Sequence, residues 1–227
     1  MHLLIGNKVY SSWSLRPWIV MRAKGIPFDE TLVQLRTEDT PERIRKFSPS
    51  GKVPCLVDGP ITVWETLAIM EYLAEKFPDK SIWPANSAAR AHARAISSEM
   101  HAGFVNLRSH CPMVVTQRFA AKPLPDGVQA DVARITSIWT EARTKFADKA
   151  AGPFLYGAFS AADGMYAPVV TRLQTYSIAV DPSSRTYMDA VLSDPAYREW
   201  LAAAAQEPWV LQQNEGDTPI EDLRAKR

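Results

Sequence analysis

The stretch SPSGKVPCLVDGPITVWETLAIMEYL, residues 48–73, carries the densest run of structural signals in the chain. A turn signal at 48–51 precedes Val53-Pro54, and two apolar runs flank a second turn signal at 58–60. After Glu65, apolar residues recur at helical intervals. Short apolar runs around a tight turn are typical of a hairpin, and the later spacing is typical of a helix. The stretch therefore predicts two paired strands followed by a helix.

Two features of this stretch also suit a ligand. A proline at position 54 belongs at the first residue or the edge of a strand, because it removes a ladder donor. A cis Val53-Pro54 bond would turn the Val53 amide and carbonyl outward, where an extended, peptide-like ligand pairs with both. Glu65 and Thr66 begin the helix, where an acidic residue simply suits the helix dipole. The same place also suits a ligand carboxylate held by free amides and the Thr66 hydroxyl, with Glu65 facing an ammonium group.

The residues before this stretch alternate between strand and helix signals. HLLIG and FDETLVQL are typical of strands, whereas SLRPWIVMRAKG and TPERIRKF are typical of helices. Together they give the order β-α-β-α-β-β-α, a small α/β domain with a mixed sheet. The later part has helical spacing and no convincing strand, and its polar end, 215–227, is expected to be loosely held. We predict an α/β domain over 1–79, a linker over 80–86 and an all-α domain over 87–227.

The composition limits the possible partners. Lys and Arg number 26 against 25 Asp and Glu, so the formal net charge is +1. This balance argues against a nucleic acid or an anionic membrane, and it favours a small neutral or zwitterionic partner. No apolar run approaches the roughly 20 residues that span a bilayer, and the N-terminus lacks a signal-peptide pattern, so a cytoplasmic protein is expected. Cys55 and Cys111 stand alone, which suits a reducing compartment and gives no support to zinc.

The histidines do not predict a metal site. His92, His101 and His110 are spaced nine residues apart. On one helix, His92 and His110 would share a face but lie roughly 27 Å apart, too far to bind one ion. No metal is therefore expected.

The full motif of residues 48–79, extended by AEKFPD, resembles the glutathione-binding half of cytosolic glutathione transferases. That family has a Pro-x-Gly-Lys-Val-Pro turn, a hairpin, then Glu-Ser and a helix, and Thr66 stands here where Ser is usual. A second stretch, FLYGAFSAADGMYAPVV at 154–170, resembles the family's internal helix start. There Ser160 and Asp163 fit a capping box with a structural role.

The resemblance implies a thioredoxin-like domain followed by an all-helical domain, and a homodimer. It also implies a transferase that uses glutathione as co-substrate and conjugates it to a small electrophile. Val53, with Pro54, would pair through its backbone with the cysteinyl part of glutathione. Glu65 and Thr66 would hold the γ-glutamyl end. Lys52, with Lys46 as the alternative, would meet the glycyl carboxylate.

The serines of VYSSWSLRPW, residues 9–18, are the candidates for activating the thiol. SSWSLR resembles the SSCSWR string of the zeta class, with Trp13 in place of its Cys. It also resembles the theta-like group, in which a Ser precedes an Arg by four residues, as Ser12 precedes Arg16. Because no Cys lies in this window, a cysteine-type enzyme is not expected. Ser12 is the first candidate, Ser11 the second, and Ser14 and Tyr10 are further alternatives. Ser14 is expected mainly to cap the helix, since Ser is a preferred N-cap.

A serine hydroxyl at a helix start is strong enough for this role. Lowering a thiol pKa from about 8.5 by two units requires roughly 2.7 kcal/mol. A hydrogen bond to a charged group contributes about 1.5 to 3 kcal/mol, and a helix N-terminus adds about 0.3 to 1 kcal/mol. The serine would be a hydrogen-bond donor and not a nucleophile.

Two rival functions remain open on the sequence. A zeta-type isomerase would convert a double bond of a diacid such as maleylacetoacetate from cis to trans. Such a substrate requires basic residues beside the thiolate, and Arg16 and Arg108 are the candidates. A non-catalytic binding or scaffold protein of the same fold is the other rival. The second substrate of a transferase is expected in the cleft between the domains, where Met100, Phe104 and Arg108 form a stripe that is more typical of a core.

Overall fold

The structure, a computed structural model, describes residues 1–216 and 218–224. Its first part has the predicted order of strands and helices. The elements are β1 (His2–Gly6), α1 (Ser12–Ala23), β2 (Asp29–Val33), α2 (Thr40–Arg45), β3 (Cys55–Asp58), β4 (Ile61–Trp64) and α3 (Thr66–Lys76).

The four strands form one mixed sheet in the order β2-β1-β3-β4. β1 pairs in parallel with β2 and antiparallel with β3, and β3 and β4 form the predicted hairpin. Gly59 at the hairpin turn has a φ of +59°, a conformation that residues with a Cβ seldom adopt. β1 runs through the interior, with Leu3, Leu4 and Ile5 fully buried, because the sheet is covered on both faces. The predicted α/β domain is confirmed.

The second part is built from helices, as predicted. A 3₁₀ turn at Pro78–Lys80 leads into it. The helices are α4 (Ser87–Ala102), α5 (Val105–His110), α6 (Asp126–Lys145), α7 (Ala161–Thr175), α8 (Pro182–Ser193) and α9 (Pro195–Ala205), followed by a 3₁₀ turn at Gln212–Asn214. That residues 1–79 and 87–227 are separate domains joined by a linker remains a prediction.

The expectation that no strand follows the first domain is wrong. β5 (Gln117–Arg118) pairs antiparallel with β6 (Glu221–Asp222). Each strand has only two residues, too short to give an alternating pattern in the sequence. The pair brings the C-terminal segment back onto the second part of the chain.

The prediction of a loosely held C-terminal tail is also wrong for the residues that the structure describes. The Glu215 carboxylate accepts a hydrogen bond from the Tyr10 hydroxyl and pairs with Arg224. The Leu223 amide donates to the Thr116 carbonyl at 2.9 Å. The polar composition concealed these long-range contacts. Of the predicted tail, residues 217 and 225–227 lie outside the described residues.

The predicted capping box at the start of α7 is confirmed. The Asp163 carboxylate accepts from the Ser160 amide at 2.8 Å and from the Ser160 hydroxyl at 2.9 Å. It also accepts from the Leu155 amide at 3.1 Å. Full burial raises the pKa of Asp163 to about 6, even though these donors favour the charged form. The box thus fixes both α7 and the loop before it.

Helix α7 lies directly against α1 and so links the two parts of the chain. A Cβ added to Gly164 would lie 2.3 Å from a Val20 methyl carbon and 3.1 Å from the Arg16 carbonyl. Only glycine permits this approach. The contact sets the position of α1, whose N-terminus carries the candidate serines.

Among the described residues, no helix is long and apolar enough to cross a membrane.

Candidate functional site

A cavity of about 310 Å³ lies where the first and second parts of the chain meet, at the lower end of the volumes of small-molecule sites. Its walls come from α1, from the loop before β3, from the start of α3 and from the α4–α5 region. The lining residues are Trp13, Ser50, Lys52, Val53, Pro54, Glu65, Thr66, His101 and Arg108. All five residues predicted to bind a ligand through the motif of 48–73 line this one cavity.

The wall before β3 presents backbone groups. The Val53-Pro54 bond is cis, as the sequence hypothesis required. Val53 is half-buried and Pro54 is buried, while Lys52 is exposed at the cavity. Neither the amide nor the carbonyl of Val53 has a backbone partner among residues 1–216 and 218–224. An extended ligand could therefore pair with both.

The wall at the start of α3 presents an unsatisfied hydroxyl. Thr66 is 1% exposed, and its Oγ1 has no hydrogen-bond partner within the described residues. A buried hydroxyl without a partner costs free energy, which a ligand atom in the cavity would recover. Glu65 beside it has a φ of 71°, unusual for a residue with a side chain, and its carboxylate is 55% exposed. The start of α3 thus offers one donor and one acceptor.

The opposite wall holds residues that sequence reasoning missed. The His101 Nε2 atom lies 3.5 Å from the Glu65 Oε2 atom, and the His101 ring meets the Trp13 ring edge-on at 5.0 Å. Trp13 also lies against two guanidinium groups, with Arg16 4.3 Å and Arg108 5.0 Å from its ring centroid. Trp13 replaces the zeta-class Cys, which was a usable signal, whereas His101 had been considered only as a metal ligand.

A break between α4 and α5 places Arg108 in this wall. Phe104 adopts the left-handed conformation, with a φ of 56°. Arg108 Nη1 donates to the His101 carbonyl at 3.3 Å and to the Gly103 carbonyl at 3.4 Å, so it caps the end of α4. The stripe predicted along one helix is therefore interrupted. Met100 and Phe104 are buried in the core, and Arg108 alone of the three lines the cavity.

The candidate serines differ in the contacts that their hydroxyls already make. Ser11, and not Ser14 as expected, is the N-cap of α1, and its Oγ accepts from the Ser14 amide at 3.4 Å. Ser14 is fully buried and its Oγ accepts from the Gly6 amide at 2.9 Å and from the Ser11 hydroxyl at 2.8 Å. The helix begins three residues earlier than the capping argument predicted, since Pro17 is tolerated inside it. The contacts of the Ser14 hydroxyl therefore give it a structural role.

The hydroxyls of Ser12 and Tyr10 also differ in whether they are already hydrogen-bonded. The Ser12 hydroxyl has no hydrogen-bond partner among the described residues, and its carbonyl accepts from Arg16 Nη1 at 3.1 Å. The Tyr10 hydroxyl donates to Glu215, and burial raises the pKa of Tyr10 above its usual value. Neither Ser11 nor Ser12 is among the residues that line the cavity, although Trp13 beside them is. Which of the candidates contacts a thiol stays a prediction.

Arg16, named above as a basic residue for a diacid substrate, is buried. It is 1% exposed, and its Nε donates to the Met165 carbonyl at 3.1 Å. Burial, with the nearby charges of Arg172 and Arg108, lowers the pKa of Arg16. Arg16 therefore binds backbone carbonyls and lies over the Trp13 ring, and it is not among the residues that line the cavity.

The loop before α1 is anchored by the second part of the chain. The buried Glu207 carboxylate accepts from the Lys8 amide at 2.6 Å and from the Val9 amide at 3.3 Å. Burial raises the pKa of Glu207, and these two donors oppose that rise. The Trp200 Nε1 atom donates to the Lys8 carbonyl at 2.9 Å. These contacts fix the loop that leads into the candidate serines at the start of α1.

Comparison with known proteins agrees with the resemblance to glutathione transferases. A family model described as the glutathione S-transferase N-terminal domain matches residues 10–76. The chain is 36% identical over 106 residues to a probable maleylacetoacetate isomerase of Caenorhabditis elegans, which covers 44% of this chain and 49% of that protein. It is 38% identical over 89 residues to a zeta-class glutathione S-transferase of Euphorbia esula, covering 38% and 37%. The matches thus span about half or less of these curated relatives.

A solved structure resembles the whole fold. A glutathione transferase homologue from Burkholderia, determined with bound glutathione, superposes with a TM-score of 0.67 at 22% identity, covering 89% of this chain and 97% of that one. At this identity the likeness shows the fold alone: a thioredoxin-like domain followed by a helical one, which confirms the predicted fold class. Residues 10–76 therefore match a glutathione S-transferase N-terminal domain, and the chain as a whole has the fold of a glutathione transferase.

Proposed function

We propose that the protein is a glutathione transferase that binds glutathione in this cavity and activates its thiol with a serine hydroxyl. The observation that carries the proposal is the Thr66 hydroxyl, which is buried at the cavity and has no hydrogen-bond partner among the residues that the structure describes. A ligand carboxylate at the start of α3 would satisfy this hydroxyl and the free amides of the first helical turn. Glutathione in the structure of the Burkholderia homologue supports the choice of ligand.

The cavity offers a partner for each part of glutathione. Thr66 and Glu65 suit the carboxylate and ammonium of the γ-glutamyl end. The free backbone groups of Val53, beside Pro54, suit the cysteinyl part. Lys52 lines the cavity and suits the glycyl carboxylate. The alternative, Lys46, lies 3.1 Å from Glu42 and is not among the lining residues, so Lys52 is the better supported of the two.

The N-terminus of α1 supplies the environment for a thiolate. The Ser12 hydroxyl has no hydrogen-bond partner in the described part of the chain, and the positive end of the helix dipole lies at the same position. Ser11 is the second candidate, but its hydroxyl already donates to Ser14. Ser12 is therefore the donor that we propose. The proposed reaction is the attack of the thiolate on a small electrophile.

Replacing Ser12 by alanine is expected to raise the pKa of the enzyme-bound thiol by about 1 to 2 units, because one hydrogen bond to a charged sulfur is lost. The measurement is the ultraviolet absorbance of the thiolate during a pH titration with saturating glutathione. Ser11→Ala is the matched comparison and is expected to have the smaller effect on this pKa. An unchanged thiolate in both variants would remove the serine from the mechanism.

A second candidate function is the isomerisation of a diacid. The cavity presents Lys52 and Arg108 but only one carboxylate, that of Glu65, so a cationic group remains once glutathione is bound. The similarity to a probable maleylacetoacetate isomerase favours the same substrate class. Turnover of a conjugated cis-diacid without net loss of glutathione would favour the isomerase over conjugation. Failure of the protein to bind glutathione at millimolar concentration would favour the non-catalytic rival.

We further propose a homodimer in the cytoplasm. Ile61 and Trp64 lie on the edge strand β4, with 45% and 42% of their surface exposed, and such apolar groups suit a protein interface. Cys55 and Cys111 are both free thiols, as is usual in a reducing compartment. Sedimentation at micromolar protein tests the dimer, and a monomer would contradict it.

A further inference from the structure

Three arginines, Arg16, Arg108 and Arg172, lie close together beside the start of α1, and we call them the arginine cluster. Arg16 Nε donates to the Met165 carbonyl at 3.1 Å, and Arg172 Nη1 donates to the Pro168 carbonyl, also at 3.1 Å. Met165 and Pro168 are three residues apart on α7, and residues at this spacing are neighbours on a helix surface. The buried guanidinium groups of Arg16 and Arg172 are therefore held at adjacent positions of one helix.

The Trp13 ring joins Arg108 to this pair. Its centroid lies 4.3 Å from the guanidinium carbon of Arg16 and 5.0 Å from that of Arg108. Arg16 Nη1 also donates to the Ser12 carbonyl at 3.1 Å, and both Trp13 and Arg108 line the cavity. The positive charges of the cluster therefore lie around the start of α1, where the proposed binding mode has the sulfur of glutathione.

The arginine cluster forms no ion pair with an acidic side chain among residues 1–216 and 218–224. Arg16 and Arg172 donate their hydrogen bonds to backbone carbonyls, and Arg108 does the same at the end of α4. Burial and the charge of Arg108 lower the pKa of Arg172 to about 10, so this guanidinium stays charged near pH 7. Buried charges are usually paired, so a cluster without an acid leaves a positive potential that favours an anion in the cavity.

We propose that the arginine cluster stabilises the negative charge on the sulfur of bound glutathione, an inference that rests on the proposed function. In this step the S–H bond breaks, the electron pair stays on sulfur and the proton passes to water. Arg16 and Arg172 are not among the lining residues, so they act through their electric field. Two unit charges about 10 Å apart, at an effective dielectric constant of about 20, attract strongly enough to change an equilibrium roughly tenfold. Glu65, the acid in the described lining, faces the ammonium group of the ligand in the proposed binding mode.

The test compares two glutathione analogues that differ in charge at the sulfur. Glutathione sulfonate carries a fixed negative charge there, whereas S-methylglutathione is neutral there. Calorimetric titration gives the ratio of their dissociation constants, and we expect the wild type to bind the sulfonate at least about tenfold more tightly. In Arg172→Met this preference should fall about threefold or more, because one buried charge is removed. Arg172→Lys keeps the charge and should keep most of the preference.

Arg90→Met is the matched control for this change of charge. Arg90 also donates to backbone carbonyls, those of Pro84 and Ala85, but it lies near the start of α4 and is not among the lining residues. Its preference for the sulfonate should equal that of the wild type. A wild-type ratio near one would overturn the inference even if no Arg172 variant folds. An unchanged ratio in Arg172→Met, shown by circular dichroism to be folded, or equal losses in the Met and Lys variants, would also overturn it. Binding of neither analogue by the wild type would instead overturn the proposed function.

Discussion

Replacing Asp163 by alanine is expected to lower the free energy of unfolding by about 3 to 5 kcal/mol, the largest effect on stability that we predict. The variant loses a buried carboxylate and leaves three donors without a partner: the Leu155 amide, the Ser160 amide and the Ser160 hydroxyl. These groups fix the start of α7, which packs against α1 through Gly164. Urea unfolding followed by circular dichroism measures the change. Unfolding curves that coincide would contradict it.

Asp163→Asn is the matched control and adds a pH signature. The folded pKa of Asp163, about 6, lies above its ordinary value of 3.8, so the folded state holds this proton more tightly than the unfolded state. The stability that this proton contributes is complete below about pH 4 and is lost as the pH rises to about 6. The free energy of unfolding of the wild type, relative to Asp163→Asn, should therefore fall across this range. A rise would show that the hydrogen bonds outweigh burial.

Glu65→Gln is expected to weaken glutathione binding by about 10- to 100-fold, because it removes a charge-assisted hydrogen bond to the ammonium group. It keeps the size of the side chain, so the fold should be retained. It also removes the carboxylate that faces His101 at 3.5 Å. Calorimetric titration with S-methylglutathione isolates binding from the chemistry of the thiol.

Glu75→Gln is the control for Glu65. It makes the same change of charge on α3 at an exposed residue outside the cavity lining. Its affinity should stay within about twofold of the wild type. Equal affinities for the wild type and both variants would show that Glu65 does not bind the ammonium group.

The elements that the sequence predicted well are those with local signals. The hairpin around Gly59, the helix from Thr66 and the capping box of Ser160 each depend on residues close in the chain. The residues between Lys52 and Thr66 that line the cavity could be singled out in the sequence because one continuous motif carries them all. Their convergence on one cavity follows from the hairpin that joins them.

The missed features depend on contacts between distant residues. Burial of Arg16 arises from its contact with the Met165 carbonyl, 149 positions away. His101 reaches Glu65 across the two parts of the chain. The break at Phe104, which brings Arg108 to the cavity, follows a helical pattern that continued through it in the sequence. Tertiary packing determines these three features, so the periodicity of apolar residues in the sequence could not predict them.

The prediction that Ser14 caps α1 was wrong for a related reason. Ser11, Ser12 and Ser14 are all acceptable N-caps, and the spacing of Pro17 favoured the third. The Gly6 amide of β1 binds the Ser14 hydroxyl, which leaves the cap to Ser11. Among the described residues the Ser12 hydroxyl then has no partner, which supports Ser12 as the proposed donor to a thiolate.

The most direct test of the account is calorimetric titration of glutathione into the wild type, Thr66→Val and Thr116→Val. Both threonines are 1% exposed, and neither hydroxyl has a hydrogen-bond partner within residues 1–216 and 218–224, but only Thr66 of the two lines the cavity. Valine keeps the shape and removes the hydroxyl. The account predicts binding at millimolar concentration or tighter, weakened about tenfold or more by Thr66→Val and unchanged by Thr116→Val. Absence of binding to the wild type, or equal affinity in Thr66→Val, would contradict it.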